Sequence, residues 1–349
     1  MEPARSHGVP VATLAMLVIM VATVVGWWVL LPEIAPKRIT IAVLPFEQPS
    51  TMPGASAYLG EGIAADIAVA LAEVPDFVVL DRAASFAYRS EGDVANRLAG
   101  ELGATHVVEG RVRRAGGRTD LSARLTNLAD FQVLWEEDLS GADADLFAMR
   151  DAVAEAIAKK LVLLGDVAIS SGPPTGLDAY DAFLEARALA DAGDTVRASA
   201  LAERSLALDE NNSYAHLLLG ELLHRDARPS AGAHVARALA IDPGSAPAQA
   251  LKAHLAFLAD GDLDGYHGGL TDLVARHRDA AALHRLACLY EAAGRQDDAL
   301  AAASYLRQLD PLGARPSGCA PLPALAPDEV RAVPWRSAAE VLAAEPAGA

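Results

Sequence analysis

Residues 193–243 read GDTVRASALAERSLALDENNSYAHLLLGELLHRDARPSAGAHVARALAIDP. Ala198, Ala202 and Leu206 recur at steps of four, Leu219-Gly220 follows in a second apolar run, and Ala231 and Ala238 lie in a third. This is the spacing of successive amphipathic helices. Gly193-Asp194 supplies a tight turn, and Pro243 ends a helix by removing a backbone donor. Leu208-Asp209 and Ile241-Asp242 stand 33 residues apart, and Leu309-Asp310 follows 68 residues later, so the chain repeats with one less regular unit between the last two marks. Small residues where paired helices cross let them approach closely. Stacked pairs then bury a continuous core and leave a groove along one side.

These units resemble tetratricopeptide repeats, about four of them over residues 179–311. The packing positions are Ala198 in the first, Leu219, Gly220 and Ala231 in the second, and Gly294 and Ala299 in the fourth, which also carries Tyr290, Ala303 and Asp310-Pro311. The third keeps Gly261-Asp262 but puts Tyr266 where alanine is usual, and irregular packing is expected there. The resemblance implies a protein or peptide partner in the groove. His216 and His284, at the fourth and fifth positions of first repeat helices, are the candidate groove residues.

Upstream the pattern changes. Ile39 to Phe46 (ITIAVLPF) and Phe77 to Leu80 read as strands, and Leu59, Ile63, Ile67 and Leu71 as one helical face. Val94, Leu98 and Leu102 mark a second helix ending at Gly103. His106 to Arg114, Leu121 to Leu125 and Phe131 to Trp135 alternate with period two, the first two joined by a hairpin at Ala115-Gly116-Gly117-Arg118. Phe147, Val153, Ile157 and Leu161 announce a last helix.

The blocks IAVLPF, LGEGIAADIAVAL, VVLDRAASFAYRS, ELGATHVVEGRVRRAGGRTDLSARL and FQVLWEEDLSGADADLFAMRDAVAEAI resemble, in order, the TolB-like amino-terminal domain. That domain is found in membrane regulators of the CadC type and beside class III adenylate cyclase or tetratricopeptide modules. The resemblance covers residues 38–166 and implies a small α/β domain for sensing or protein contact, without a catalytic motif to carry over. Ahead of it, Val9 to Leu31 (VPVATLAMLVIMVATVVGWWVLL) has no charge and suffices to cross a hydrocarbon core of ~30 Å at ~1.5 Å per residue. Residues 9–31 are therefore read as a transmembrane helix ending in the interfacial pair Trp27 and Trp28. A cleaved signal peptide is the competing reading. The short tail 1–8 leaves no room for a winged-helix reader or a cyclase, so neither output is expected. Arg5 on one flank and Lys37 and Arg38 on the other do not settle orientation by charge.

Residues 167–178 read as a Pro/Gly linker, and 312–349 as a Pro/Ala-rich flexible tail with a short helix near Ser337 to Ala344. With 52% hydrophobic residues in 349, disorder throughout is excluded, and the length suits about two folded units, each with its own core. Lys and Arg number 29 against 46 Asp and Glu, a net of -17, so nucleic acid is excluded as a partner. Seven of nine histidines fall between His216 and His284, yet their spacings match no metal-ligand signature. Gly60-Glu61-Gly62 lacks the third glycine of a dinucleotide loop, since Ala65 stands there. Arg111, Arg113, Arg114 and Arg118 read as a charged strand face that discourages edge pairing, with an acidic partner as the other reading. Asp151 and Glu155 read as a solvated helix face. No hydrolase, zincin or phosphate-loop motif occurs.

The fold class expected is thus α/β plus all-α: one transmembrane helix, a TolB-like domain and a tetratricopeptide solenoid. The function expected is a non-enzymatic, membrane-anchored interaction scaffold of the bacterial envelope without cofactor or metal. Its partners would be a protein segment in the groove and the membrane through 9–31, with self-association left open. The alternative is a regulatory component without its own output domain. By analogy with CadC-type relatives, residues 33–349 are expected to be periplasmic. The two cysteines, Cys288 and Cys319, are expected as one buried and one free thiol, because disulfide geometry is narrow, with a bond that pins the tail to the last repeat in an oxidising compartment as the other reading.

Overall fold

The computed structural model describes residues 39–48, 58–74, 77–88, 94–162, 176–277, 279–309, 319 and 322–343. The expected membrane span 9–31 and most of the linker 167–178 lie outside these residues. No helix among the described residues is long and apolar enough to cross a membrane.

The first part is β1 (Ile39–Val43), α1 (Leu59–Ala72), β2 (Phe77–Val79), α2 (Arg82–Phe86), α3 (Val94–Leu102), β3 (His106–Ala115), β4 (Arg118–Asn127), β5 (Val133–Ala142) and α4 (Leu146–Leu161). Its five strands lie in the order β2-β1-β3-β4-β5. Strand β1 is parallel to β2 and to β3, and α1 and α3 lie in the crossovers that parallel pairing demands. The β3-β4-β5 part is antiparallel, and its first turn places Gly116 and Gly117 at φ 60° and 77°, left-handed values that glycine adopts without strain. Ile63, Ile67, Val153 and Ile157 from α1 and α4 bury one sheet face with Val43, Val108, Val112, Leu121 and Leu125. Leu98 and Leu102 of α3 cover part of the other with Ala42, Leu44 and Val107. The last strand begins and ends later than its apolar run predicts. It is an edge strand whose Glu136, Glu137 and Asp138 are exposed, so its sequence shows little alternation.

Eight helices follow in four antiparallel pairs: α5 (Leu177–Asp191) with α6 (Thr195–Leu208), α7 (Ser213–Arg225) with α8 (Ala231–Ile241), α9 (Ala246–Asp260) with α10 (Leu263–His277), and α11 (Ala280–Ala292) with α12 (Gln296–Leu309). Gly193, Gly261 and Gly294 turn the first, third and fourth pairs at φ 85°, 75° and 72°. The second pair turns through Ala227 at φ 54°, in the same conformation without a glycine.

The two parts share one core. Buried residues from Ile41 to Leu222 form a single hydrophobic cluster that crosses from sheet to helices, where two separate cores were expected. At the joint, Arg150 of α4 is almost wholly buried and donates to Asp66 of α1 at 2.7 Å and to Asp151 at 2.9 Å. The Tyr180 hydroxyl of α5 donates to the same Asp66 oxygen at 2.7 Å. Burial lifts the Asp66 carboxyl above its ordinary value, while Arg150 and Tyr180 pull it down. Beside this pair Gly62 lets α1 meet α5, since a Cβ there would lie 2.5 Å from Leu184 Cδ2. Gly60 sits where a Cβ would fall 2.1 Å from the Phe46 carbonyl oxygen. Close packing thus accounts for the Gly-x-Gly at this helix start.

The far end of the array also reaches the α/β part. The Asp81 amide donates to the Leu309 carbonyl at 2.6 Å, His277 lies 3.2 Å from Glu73, and Val78 joins the buried cluster of the last two pairs.

The tail departs from expectation. Two short helices, α13 (Pro327–Ala332) and α14 (Ala338–Ala343), pack on the last two pairs and bury Val333, Ala338 and Val341. Trp335 lies 4.7 Å from His267 and 6.0 Å from Tyr290 between ring centroids, the Tyr290 hydroxyl donates to the Arg336 carbonyl, and the Ala338 amide donates to Asp298. Cys288 and Cys319 form a disulfide, correcting the expectation of separate thiols. Apolar and aromatic anchors hold residues 322–343 on the array, and Cys319 lies with its Cα 5.5 Å from that of Cys288.

Two outcomes follow from this packing. Arg150→Met should cost about 3–5 kcal/mol in urea unfolding by stranding the Asp66 charge, and adding Asp66→Asn should recover part of that loss; equal losses in single and double variants would deny the coupling. Thiol titration of unreduced, denatured protein should find no free thiol. Closing a 31-residue separation is worth about 3–4 kcal/mol, so reduction should lower the unfolding midpoint measurably.

Candidate partner-binding face of the helical array

The first helices of the four pairs, α5, α7, α9 and α11, stack in succession, and in the first two pairs small residues lie where first and second helices cross. Ala198 and Ala231 are buried, Leu219 is 2% exposed, and a Cβ on Gly220 would lie 2.7 Å from Val235 Cγ2, so glycine sets the approach of α7 and α8. Ala299 is half-buried against the last cluster, and Gly294 serves the turn rather than the crossing. Tyr266, expected to disturb the third pair, is absorbed by it. Its ring stacks on Phe257 at 4.9 Å with 7° between planes, and its hydroxyl lies 3.0 Å from His254 Nδ1.

The two histidines assigned to the groove are not brought together. His216 is half-buried and turned to its own pair: Nε2 donates to the Glu210 carbonyl at 3.1 Å, and Nδ1 lies 3.1 Å from His234 Nδ1. Burial lowers its basicity, so it favours the neutral form. His284 lies one turn before Cys288, with Nε2 3.8 Å from the bonded Sγ.

A different group converges in the middle of the array. His224 of α7, His254 of α9, Tyr266 of α10 and Arg285 of α11 lie together. The His224 and His254 rings meet edge to face at 5.0 Å, and Arg285 sits against the Tyr266 hydroxyl. Burial, helped by the Arg285 charge, pushes His254 down to about 3 and lowers His224 as well. Burial raises the Tyr266 hydroxyl to about 12. Near neutral pH the group therefore holds one positive charge among neutral donors and acceptors. Only Tyr266, standing where alanine was expected, hinted at it in the sequence.

Other candidate chemistry is already spoken for. A cavity of about 360 Å³ at the start of α5 is lined by Arg114, Asp178 and Leu208 among others, but Arg114 is held by Asp143 at 2.7 Å and Asp181 at 3.0 Å. Arg111, Arg113 and Arg118 bond Glu47, Asp120 and Ser140. Strand β4 lies between β3 and β5, so Arg118 guards no sheet edge, whereas β3 runs on past its pairing with β1 at Val108 and the bridge between Glu47 and Arg111. Glu155 pairs with Lys159 in the solvated way expected, whereas Asp151 also supports Arg150. Among the described residues no three metal-ligating side chains gather.

The molecule is thus a mixed five-stranded α/β domain fused to an array of helix pairs. No family model matches the chain. It is 30% identical over 195 residues to a protein named putative adenylate cyclase 3 from Rhizobium meliloti (strain 1021), a match covering 54% of this chain and 33% of that one. The chain therefore spans about a third of that relative's length. Similar solved structures include TolB from Acinetobacter baumannii, with TM-score 0.29 and 18% identity over 38% of this chain and 30% of that one. They also include a thermophilic TPR protein from Thermus thermophilus, with TM-score 0.33 and 20% identity over 48% of this chain and 88% of that one. The architecture stands on the elements described above, not on these likenesses.

Leu219→Asp should unfold the array, at a cost of several kcal/mol for a buried unpaired charge. His216→Ala should cost only about 1 kcal/mol, the scale of one partly exposed hydrogen bond, in the same urea titration. Similar losses would place His216 in the core.

Proposed function

We propose that this chain is a membrane-anchored, non-enzymatic scaffold of the bacterial envelope whose helical array takes a segment of a partner protein. The observation that carries the reading is the run of four stacked helix pairs, whose succession of first helices offers an extended surface. The α/β domain, which resembles the TolB-like domain of CadC-type regulators, would meet a second protein. Residues 9–31 would anchor the chain, and 33–349 would lie in the periplasm. The Cys288–Cys319 bond supports an oxidising compartment. A regulatory component acting through a separate output protein is the second reading, favoured by the 30% identity to the putative adenylate cyclase.

One experiment separates these. In cells producing the full chain, photo-crosslinkers on exposed positions of α7, α9 and α11 should yield one discrete adduct, and the same label at Ser140 on the exposed sheet face should not. Equal labelling from both faces would contradict an array-specific partner. A reporter requiring export, fused after Ala349, should be active, and purified chain given ATP should form no cyclic nucleotide. A cytoplasmic reporter signal would reverse the topology, and cyclase activity would reverse the non-enzymatic reading.

A further inference from the structure

Arg285 stands apart among the arginines of this protein. The other buried or half-buried ones are each held by a carboxylate: Arg82 by Asp191, Arg114 by Asp143 and Asp181, Arg150 by Asp66, Arg187 by Glu221, Arg295 by Asp298 and Arg336 by Asp272. Arg285 is half-buried as well, yet among the described residues no carboxylate pairs with it. In a chain with 46 acidic residues against 29 basic ones, leaving that site unpaired runs against the general surplus of partners. A guanidinium has five donors in a planar fork, and a partly desolvated one without an anion forgoes the bidentate contact it is shaped for. Its neighbours are arranged to receive such an anion. The Tyr266 hydroxyl bonds the buried His254, which fixes that ring, and half-buried His224 lies against it with imidazole donor capacity of its own.

We propose that Arg285, supported by His224, His254 and Tyr266, is a subsite for one acidic side chain of the partner segment, and it rests on the array-binding reading above. A monoanionic carboxylate matches the single charge of the site. A phosphate dianion would leave one negative charge uncompensated in a molecule already at -17. The site draws on α7, α9 and α11, with the first helix pair on one side and the tail helices α13 and α14 packed on the last two pairs on the other, so a bound segment that runs past it presents a side chain rather than a chain end. Arg285 makes the contact, and the two histidines and Tyr266 position it.

The test follows the imidazole resonances of His224 and His254 in the full chain at pH 7 and constant ionic strength. The probes are a capped tripeptide with central glutamate, its glutamine counterpart, a tripeptide with a free terminal carboxylate, inorganic phosphate and chloride. The glutamate peptide should shift both resonances saturably, at concentrations at least tenfold below those needed with glutamine or chloride. Arg285→Gln should abolish the response and Arg285→Lys should weaken it several-fold, each with an unchanged unfolding midpoint. A response equal to that of chloride, or one surviving in Arg285→Gln, overturns the subsite. Stronger response to phosphate or to the chain-end carboxylate overturns the side-chain assignment. Because the probes are small, saturable glutamate binding without any crosslinked partner would sink the array-binding reading and leave the subsite standing. A crosslinked partner without glutamate binding would do the reverse.

Discussion

The architecture turns on one buried ion pair. Arg150 is almost fully withdrawn from water and satisfied by Asp66 and Asp151, with the neutral Tyr214 hydroxyl hydrogen-bonded to it and Tyr180 sharing Asp66. A guanidinium so placed is tolerable only if its partners stay where they are. Asp66 belongs to the sheet-packing helix α1, Arg150 to α4, and Tyr180 and Tyr214 to the first and second helix pairs. The pair therefore acts as a register pin between two parts whose sequences look independent. Around it the packing is dense: Phe147 meets Tyr180 edge-on at 5.2 Å, Phe183 stacks with Tyr214 at 5.5 Å, and Gly62 lets the helices close over them.

From that pin the array extends and returns. The Leu309 carbonyl accepts from Asp81 and His277 meets Glu73, so the α/β domain touches both the first and the last helix pairs. The tail then closes the free end, where Trp335 is set among His267, Tyr290 and Arg295 and the disulfide ties Cys319 to α11. An array held at its start by an ion pair and at its end by a covalent link presents half-buried His224 and Arg285, over the buried His254, as a surface of fixed shape. Preorganisation of that kind reduces the entropy lost when a partner binds.

Much of this was legible in the sequence, and what was not has physical reasons. Hydrophobic spacing located nearly every element, because amphipathic faces and glycine turns such as Gly116-Gly117 and Gly193 are local signals. The joint was invisible, since Asp66, Arg150 and Tyr180 are brought together across 84 and 114 residues and share no local spacing signal. The tail misled for a related cause. Its proline and alanine content resembles a flexible segment, and only tertiary contacts reveal that Val333, Trp335 and Val341 have a surface to bury against. His216, a groove candidate by repeat position, meets His234 and the Glu210 carbonyl, contacts that repeat position alone does not show. Arg285 was passed over because an unpaired charge is recognised only when its neighbours are known.

The claim that domain and array form one body meets its most direct test in native-state hydrogen exchange of the oxidised chain across low denaturant. If the Asp66–Arg150 joint binds the two parts, slowly exchanging amides in β3 and β4 and in α7 should merge into one unfolding isotherm with a common free energy and denaturant dependence. Two separate isotherms, with the α7 amides opening at lower denaturant while the strands stay protected, would contradict it.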